Sequence, residues 1–338
     1  MLEKVRSKYI LKEIFVNIKN KRKLNIIKYN KRIKVKLNIN EEDFKIYITL
    51  KEFNKKYNTN IGDIDIKELN MSIRYTGNNL LEDLVKIEFK ELKKLDLSYN
   101  RISNINILEK IDVKILKELN LKGNNISDIN VLGNVDFNEL KKLDLSYNEI
   151  SDIYILKYLD FNELKELDLS GNKISYVSVL ENVDFKNLNK LNLSYNKISK
   201  IDILEKVNFK ELNELNLCHN KISKIDILEK VNFKELKELD LSLNKISDIN
   251  ILENIDFKEL NKLNLSYNEI SDINILEKVD FKKLIKLNLC HNKISDIKIL
   301  EKVDFKELKE LKLSLNGIKE DENNSILIWL KSKINIII

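Results

Sequence analysis

Proline, alanine and glutamine are absent from the 338 residues, and glycine occurs only six times. Average usage would give roughly 17 prolines and about 24 glycines. Such a chain is no collagen, offers no polyproline ligand and has no Pro/Gly/Ser linker. Two cysteines cannot form the disulfide framework of a small secreted domain. No apolar run approaches the 18 residues of a membrane-spanning helix. The start, MLEKVRSKYILKEIF, lacks the apolar core and small-residue site of a secretory signal. A reducing cytoplasm is the expected setting.

The charge that is present is unevenly placed. The chain carries a net +6, yet residues 1–40 alone hold 13 Lys and Arg against two Glu. The other 298 residues therefore carry −5, and the basic balance belongs to the amino-terminal segment. A general affinity for nucleic acid is not expected of the remainder.

The dominant feature is a period. Asn100, Asn124, Asn148, Asn172, Asn196, Asn220, Asn244, Asn268, Asn292 and Asn316 are spaced by 24 residues without a slip. A typical unit is LKELDLSLNKISDINILENIDFKE, Leu236 to Glu259. Counting from its first Leu, positions 1, 4, 6, 11, 14, 16, 17, 20 and 22 are apolar and position 9 is Asn. Positions 4 and 6 alternate with polar residues, as in a strand, and the later apolar residues fall three and four apart, as in a helix. One short strand and one short helix cannot bury their apolar faces alone, but stacked units share a continuous core. Ser at position 12 is expected to cap the helix.

These residues carry a resemblance. Leu92, Leu95, Leu97, Asn100 and Ile102 match the signature L-x-x-L-x-L-x-x-N-x-L of leucine-rich repeats, which recurs ten times across about 92–318. The continuation is similar to the short-repeat subclass of internalin-type and phosphatase-regulatory proteins, stretched by two residues. The resemblance implies an α/β solenoid: a curved horseshoe with a parallel sheet on the concave side and short helices on the convex side. It also implies an Asn ladder that satisfies backbone groups where each strand turns away. Phenylalanine at position 22, from Phe137 to Phe305, reads as a stacked aromatic spine, with Val113 in the first repeat.

Three regions are expected: a basic helical segment over 1–66, a solenoid over 67–318 and a carboxy-terminal cap over 319–338. Within the first, residues 44–50 read as a strand followed by a helix. Residues 67–91 read as a degenerate repeat with Thr76 where Asn belongs. The cap includes the only tryptophan, Trp329.

Positions 3, 5 and 7 are expected to face outward from the concave sheet, with position 8 at its edge. Position 3 is Lys or Glu, with opposite charges facing each other across most of the row, and reads as a self-neutralising ladder. Position 5 is Asp or Asn in the first nine repeats, which makes the centre mildly acidic around Asp144 and Asp168. Position 8 holds Tyr99, Tyr147, Tyr195, His219, Tyr267 and His291, a polar-tipped aromatic stripe suited to binding a protein or to packing along the sheet margin. Cys218-His219 and Cys290-His291 look like halves of a metal site, but three repeats at about 4.8 Å place them roughly 14 Å apart. No metal, cofactor or catalytic role is assigned. No nucleotide-binding or hydrolase motif is present, and the carboxylates recur by repeat instead of converging.

The run from Ile10 to Leu37 is similar to an F-box, on Ile10, Leu11, Ile14, Phe15 and Ile18 followed by Leu24 and Ile27. That pattern's usual Leu-Pro opening and late Trp are missing. The resemblance implies docking on a Skp1-like adaptor, so that the repeats would present a substrate to a ubiquitin ligase. The plain alternative is a helical cap over the first repeat, and a third reading tethers the basic segment to RNA or an anionic membrane. The leading expectation is a monomeric, non-enzymatic scaffold that binds a protein partner on the concave face.

Overall fold

The structure, a computed structural model, describes residues 41–61, 66–72, 76–87, 89–111, 113–255, 258–279, 282–303 and 306–337, with single positions at 30, 32, 33 and 35. For 41–45, 47, 320–324 and 333 it describes the backbone alone. Ile10, Leu11, Ile14, Phe15 and Ile18 lie outside the described residues.

The repeats stack into one twelve-stranded parallel sheet in which every strand neighbours its successor. After helix α1 (Glu41–Tyr57) come β1 (Glu68–Asn70) and helix α2 (Asn79–Leu84). Then β2 (Lys94–Asp96) opens a run of three-residue strands that ends at β11 (Glu310–Lys312). From β2 to β10 each sits in register with its successor 24 residues on, as Leu119 on Leu143. Helix α3 (Glu320–Lys333) and β12 (Asn335–Ile337) close the chain, and β12 pairs parallel with β11.

Inside, the apolar positions align from repeat to repeat. Leu188, Leu191, Leu193, Ile198, Ile201 and Leu204, one repeat's set, are all buried. Each such side chain contributes about 1.5–3 kcal/mol. Phe185 stacks between Phe161 and Phe209, with ring centroids 6.4 Å away on each side. The spine is thus continuous over these repeats, while Phe257, Phe281 and Phe305 lie outside the described residues.

The Asn ladder bridges neighbouring repeats. The Asn124 amide donates to Leu121 O (2.8 Å) and to Leu97 O of the preceding repeat (3.0 Å). Its Oδ1 accepts from the Ile102 amide at 2.9 Å. Backbone groups freed where the strand ends are satisfied in this way. Thr76 completes the ladder's first rung, donating from Oγ1 to Asn100 Oδ1 at 3.3 Å.

Several sequence expectations are corrected. The strand expected at 44–50 is part of helix α1, which sets Leu50, Phe53 and Tyr57 against the first repeat. That repeat holds two extra residues, because Glu68 pairs with Lys94 across an offset of 26. Met71 therefore takes the place of Leu97, and its amide continues the ladder to Asp96 O. In the regular repeats the convex segments are 3-10 helices of four or five residues, such as Asn130–Asn134. Ser at position 12 does not cap them. Asp at position 13 does the local work instead, accepting the amide two residues on, as Asp128 Oδ1 does from Asn130 at 2.8 Å. At the carboxyl end, Ile326, Leu327 and Leu330 cover the core, whereas Trp329 is 38% exposed.

An ion-linked cluster ties α1 to α2. Asp83 accepts from Lys56, Lys86 and the Tyr57 hydroxyl (2.8 Å). Burial pushes the Asp83 carboxyl up, but these donors outweigh it and hold it at about 2. Burial and the Asp83 contact push the Tyr57 phenol up to about 12.

Candidate functional site

The concave face is built from strand positions 3 and 5. Position 3 forms the expected ladder across the strands: Lys142–Glu166 at 3.0 Å, Lys190–Glu214 at 2.7 Å and Lys286–Glu310 at 3.2 Å. These pairs are exposed, so they set register and solubility more than stability.

Beside them runs a trough of about 410 Å³, lined by Lys142, Asp144, Glu166, Asp168, Lys190 and Asn192 among others. Asp144 and Asp168 lie side by side on adjacent strands (Lys142–Asp144 and Glu166–Asp168). Each Oδ1 accepts the amide of the serine two residues on at 2.9 Å and that serine's hydroxyl at 2.6 Å. Asp168 Oδ2 also accepts from Asn192 Nδ2 at 3.0 Å. Burial, and then repulsion from Asp168, raise the Asp144 carboxyl above its ordinary value against the pull of the Ser146 bonds. These carboxylates therefore first turn the chain at the strand end. Position 7, expected on the surface, is drawn beneath it: Ser146, Ser170, Cys218 and Cys290 are buried. Burial pushes the Cys218 thiol up, and Cys290 Sγ lies 3.0 Å from Ser314 Oγ. His219 is exposed while its neighbour Cys218 is buried, so the adjacent pair does not converge.

Position 8 forms the margin at the strands' carboxyl ends. From Tyr99 through Leu315 every residue there has φ between 53° and 65°, the left-handed region. Glycine accepts that conformation freely, and any other residue is strained by roughly 1–2 kcal/mol. The backbone holds it by donating the position-8 amide to the next repeat, as Tyr147 N does to Ser170 O at 2.7 Å. Each tyrosine ring then leans onto position 8 of the following repeat. Tyr99 and Tyr147 cover Gly123 and Gly171, where an added Cβ would come within 2.4 and 2.9 Å of the ring. Tyr195 stacks on His219 at 4.5 Å between centroids, and Tyr267 on His291 at 3.8 Å. The four tyrosines stay about half exposed despite these contacts.

The Leucine Rich repeats (2 copies) family model matches residues 138–182, 162–206 and 186–230. Single leucine-rich-repeat models match 91–110, 115–129 and 235–249. The chain is a leucine-rich-repeat protein. Among solved structures it is similar to an internalin (InlF) of Listeria monocytogenes, 25% identical, TM-score 0.52, covering 86% of this chain and 93% of that one. It is also similar to the functional domain of Listeria monocytogenes InlJ, 20% identical, TM-score 0.56, covering 75% of this chain and 49% of that one. TLR13 in its complex with ssRNA13 is 25% identical at TM-score 0.56, covering 72% of this chain and 35% of that one. This leucine-rich-repeat protein thus spans about half of the InlJ chain and a third of the TLR13 chain. No curated protein matches its sequence.

Of the expected site residues, the structure brings Tyr195 to His219 and Tyr267 to His291, and sets Asp144 beside Asp168. Sequence reasoning missed a second aromatic group in this leucine-rich-repeat protein. Tyr154, Tyr158 and Tyr176 are exposed on the convex side, at positions 15, 19 and 13. Those positions carry Asn, Lys or Asp in most other repeats, and that departure from the consensus was the available signal. No helix among the described residues is long and apolar enough to cross a membrane.

Proposed function

We propose that this leucine-rich-repeat protein is a monomeric, non-enzymatic cytoplasmic scaffold that binds another protein across its concave sheet and the adjoining tyrosine–histidine margin. The position-8 row carries the reading. Two repeats use glycine there, yet eight keep a larger side chain in a left-handed conformation at roughly 1–2 kcal/mol each. Strain held repeatedly at a solvent-facing margin is the kind of cost that sites of recognition retain. Half-exposed, stacked rings give a partner a rigid apolar surface with hydroxyl and imidazole tips, at little entropic cost. The Asp144–Asp168 floor beside them favours a partner segment carrying lysine or arginine.

Affinity purification of the full chain beside the double variant Tyr147→Ser/Tyr195→Ser, with quantitative mass spectrometry, tests the reading. Partners lost from the variant while its thermal midpoint is kept support it. An unchanged partner set with unchanged stability refutes it.

A further inference from the structure

Away from the concave margin and the two ends of the solenoid, the exposed large apolar residues among those described are Tyr154, Tyr158 and Tyr176, at 53, 63 and 81% exposure. All three fall in two adjacent repeats. Tyr154 and Tyr158 flank one 3-10 helix (Tyr154–Tyr158), their rings edge-to-face at 6.0 Å, and Tyr176 precedes the next helix (Ser178–Asn182), which packs against the first.

Lys157 sits between the two rings, its ammonium 3.7 Å from the Tyr154 centroid and 4.6 Å from that of Tyr158. It also donates a hydrogen bond to the Tyr154 hydroxyl. Its position explains why it is unusual. Position 18 is glutamate in most repeats and pairs with a lysine at position 19 of the next, as in Glu181–Lys206 at 3.2 Å and Glu253–Lys278 at 3.1 Å. Here Lys157 stands where glutamate would, Gly133 holds the same position one repeat earlier, and Tyr158 replaces the lysine. The convex ion-pair ladder is interrupted at this place. Among the described residues Lys157 faces no carboxylate within ion-pair distance, whereas the lysines of the intact rungs do. The patch is therefore a cation without a counter-charge, framed by aromatic rings that exclude water from one side. An approaching carboxylate would supply the missing charge while an apolar neighbour covers the rings.

The geometry points to a second docking surface on the convex side, formed by Tyr154, Lys157, Tyr158 and Tyr176, for an acidic peptide segment of a partner protein, with an aspartate or glutamate on Lys157 and an adjacent apolar side chain on the tyrosines. It is independent of the concave surface, which lies on the opposite side of the solenoid.

The test selects peptides of about twelve residues from a displayed random library on the full chain and on two variants. One is Lys157→Glu. The other combines Tyr154→Asn, Lys157→Glu, Tyr158→Lys and Tyr176→Asp, residues already carried at these positions by sister repeats, so that the fold is kept. The expected result is a class of peptides with Asp or Glu beside an apolar residue, enriched on the native chain and bound at least about tenfold more weakly by both variants, with affinity falling as salt rises. The proposal is overturned if no enriched class distinguishes the native chain from the variants, or if the class that does so carries no acidic residue.

Discussion

Replacing Asn196 with alanine is expected to cost more than most core truncations of similar size. Its Nδ2 donates to Leu169 O at 3.0 Å and to Leu193 O and Ser194 O at 3.1 Å, and its Oδ1 accepts from the Ile174 amide at 3.0 Å. An amide has two donor hydrogens, so the variant loses about three net bonds and leaves the buried Ile174 N–H without a partner. Counting the two donated bonds at about 1 kcal/mol each, and 1–3 kcal/mol for the orphaned Ile174 N–H in place of the third bond, the loss is about 3–5 kcal/mol. Asn316 makes the same kind of bonds, to Leu289 O, Leu313 O and the Ile294 amide, but is only half-buried at the end of the ladder. Water can replace part of what it loses, and Asn316→Ala should cost about 1 kcal/mol. Urea unfolding followed by circular dichroism measures both. The Asn196 transition should also broaden, because coupling between repeats passes through that rung. Asn196→Asp keeps the acceptor for Ile174 but aims a carboxylate at three carbonyls, which raises its folded pKa. Its stability should therefore improve as pH falls through that raised value and decline again as pH rises. A loss below about 1 kcal/mol at Asn196, or equal losses at both sites, would refute the ladder argument.

Three further outcomes are expected. Gly123→Ala puts a Cβ within 2.4 Å of the Tyr99 ring at φ 65°, and should lower stability by roughly 1–2 kcal/mol, whereas Leu315→Gly, at φ 57° and exposed, should leave it unchanged or raise it by up to about 1 kcal/mol in chemical denaturation. Phe185→Ala removes the middle ring of the stack and should cost about 3–5 kcal/mol by the same measurement. The Asp83 carboxyl is held at about 2 against an ordinary 3.8, so the stability it contributes is present above that ordinary value and is lost as pH falls towards 2. Acid titration of Asp83→Asn, followed by circular dichroism, should show a shallower decline over that window than the native chain.

Much of the architecture is legible in the period alone. Asn100 to Asn316 at 24-residue spacing place every strand from β2 to β11, and the apolar positions name the core. The Lys–Glu row at position 3 foretells the cross-strand pairs because parallel register makes equivalent positions neighbours. The amino-terminal part was less legible. Residues 44–50 alternate well enough to suggest a strand, but Leu50, Phe53 and Tyr57 also share a helix face, and packing on the first repeat decides between the two. The sequence places the aromatic residues of position 8 in one row, but their left-handed backbone and leaning pairs are not visible in it. The Tyr154–Lys157–Tyr158 cluster is marked in the sequence only by three departures from the consensus, at positions 15, 18 and 19 of one repeat.

By itself the sequence determined which residues are equivalent, since a strict period makes every repeat solve the same burial problem in the same way. Only the tertiary structure decided what lies between equivalents. It set the two-residue shift that makes Met71 a core residue, the burial of position 7 under the strand ends and the left-handed backbone that tips Tyr99 over Gly123 and Tyr195 over His219. It also set Lys157 apart from the ion-pair rungs around it. These depend on stacking distance, backbone strain and the charge one repeat presents to the next, quantities that a one-dimensional pattern does not contain.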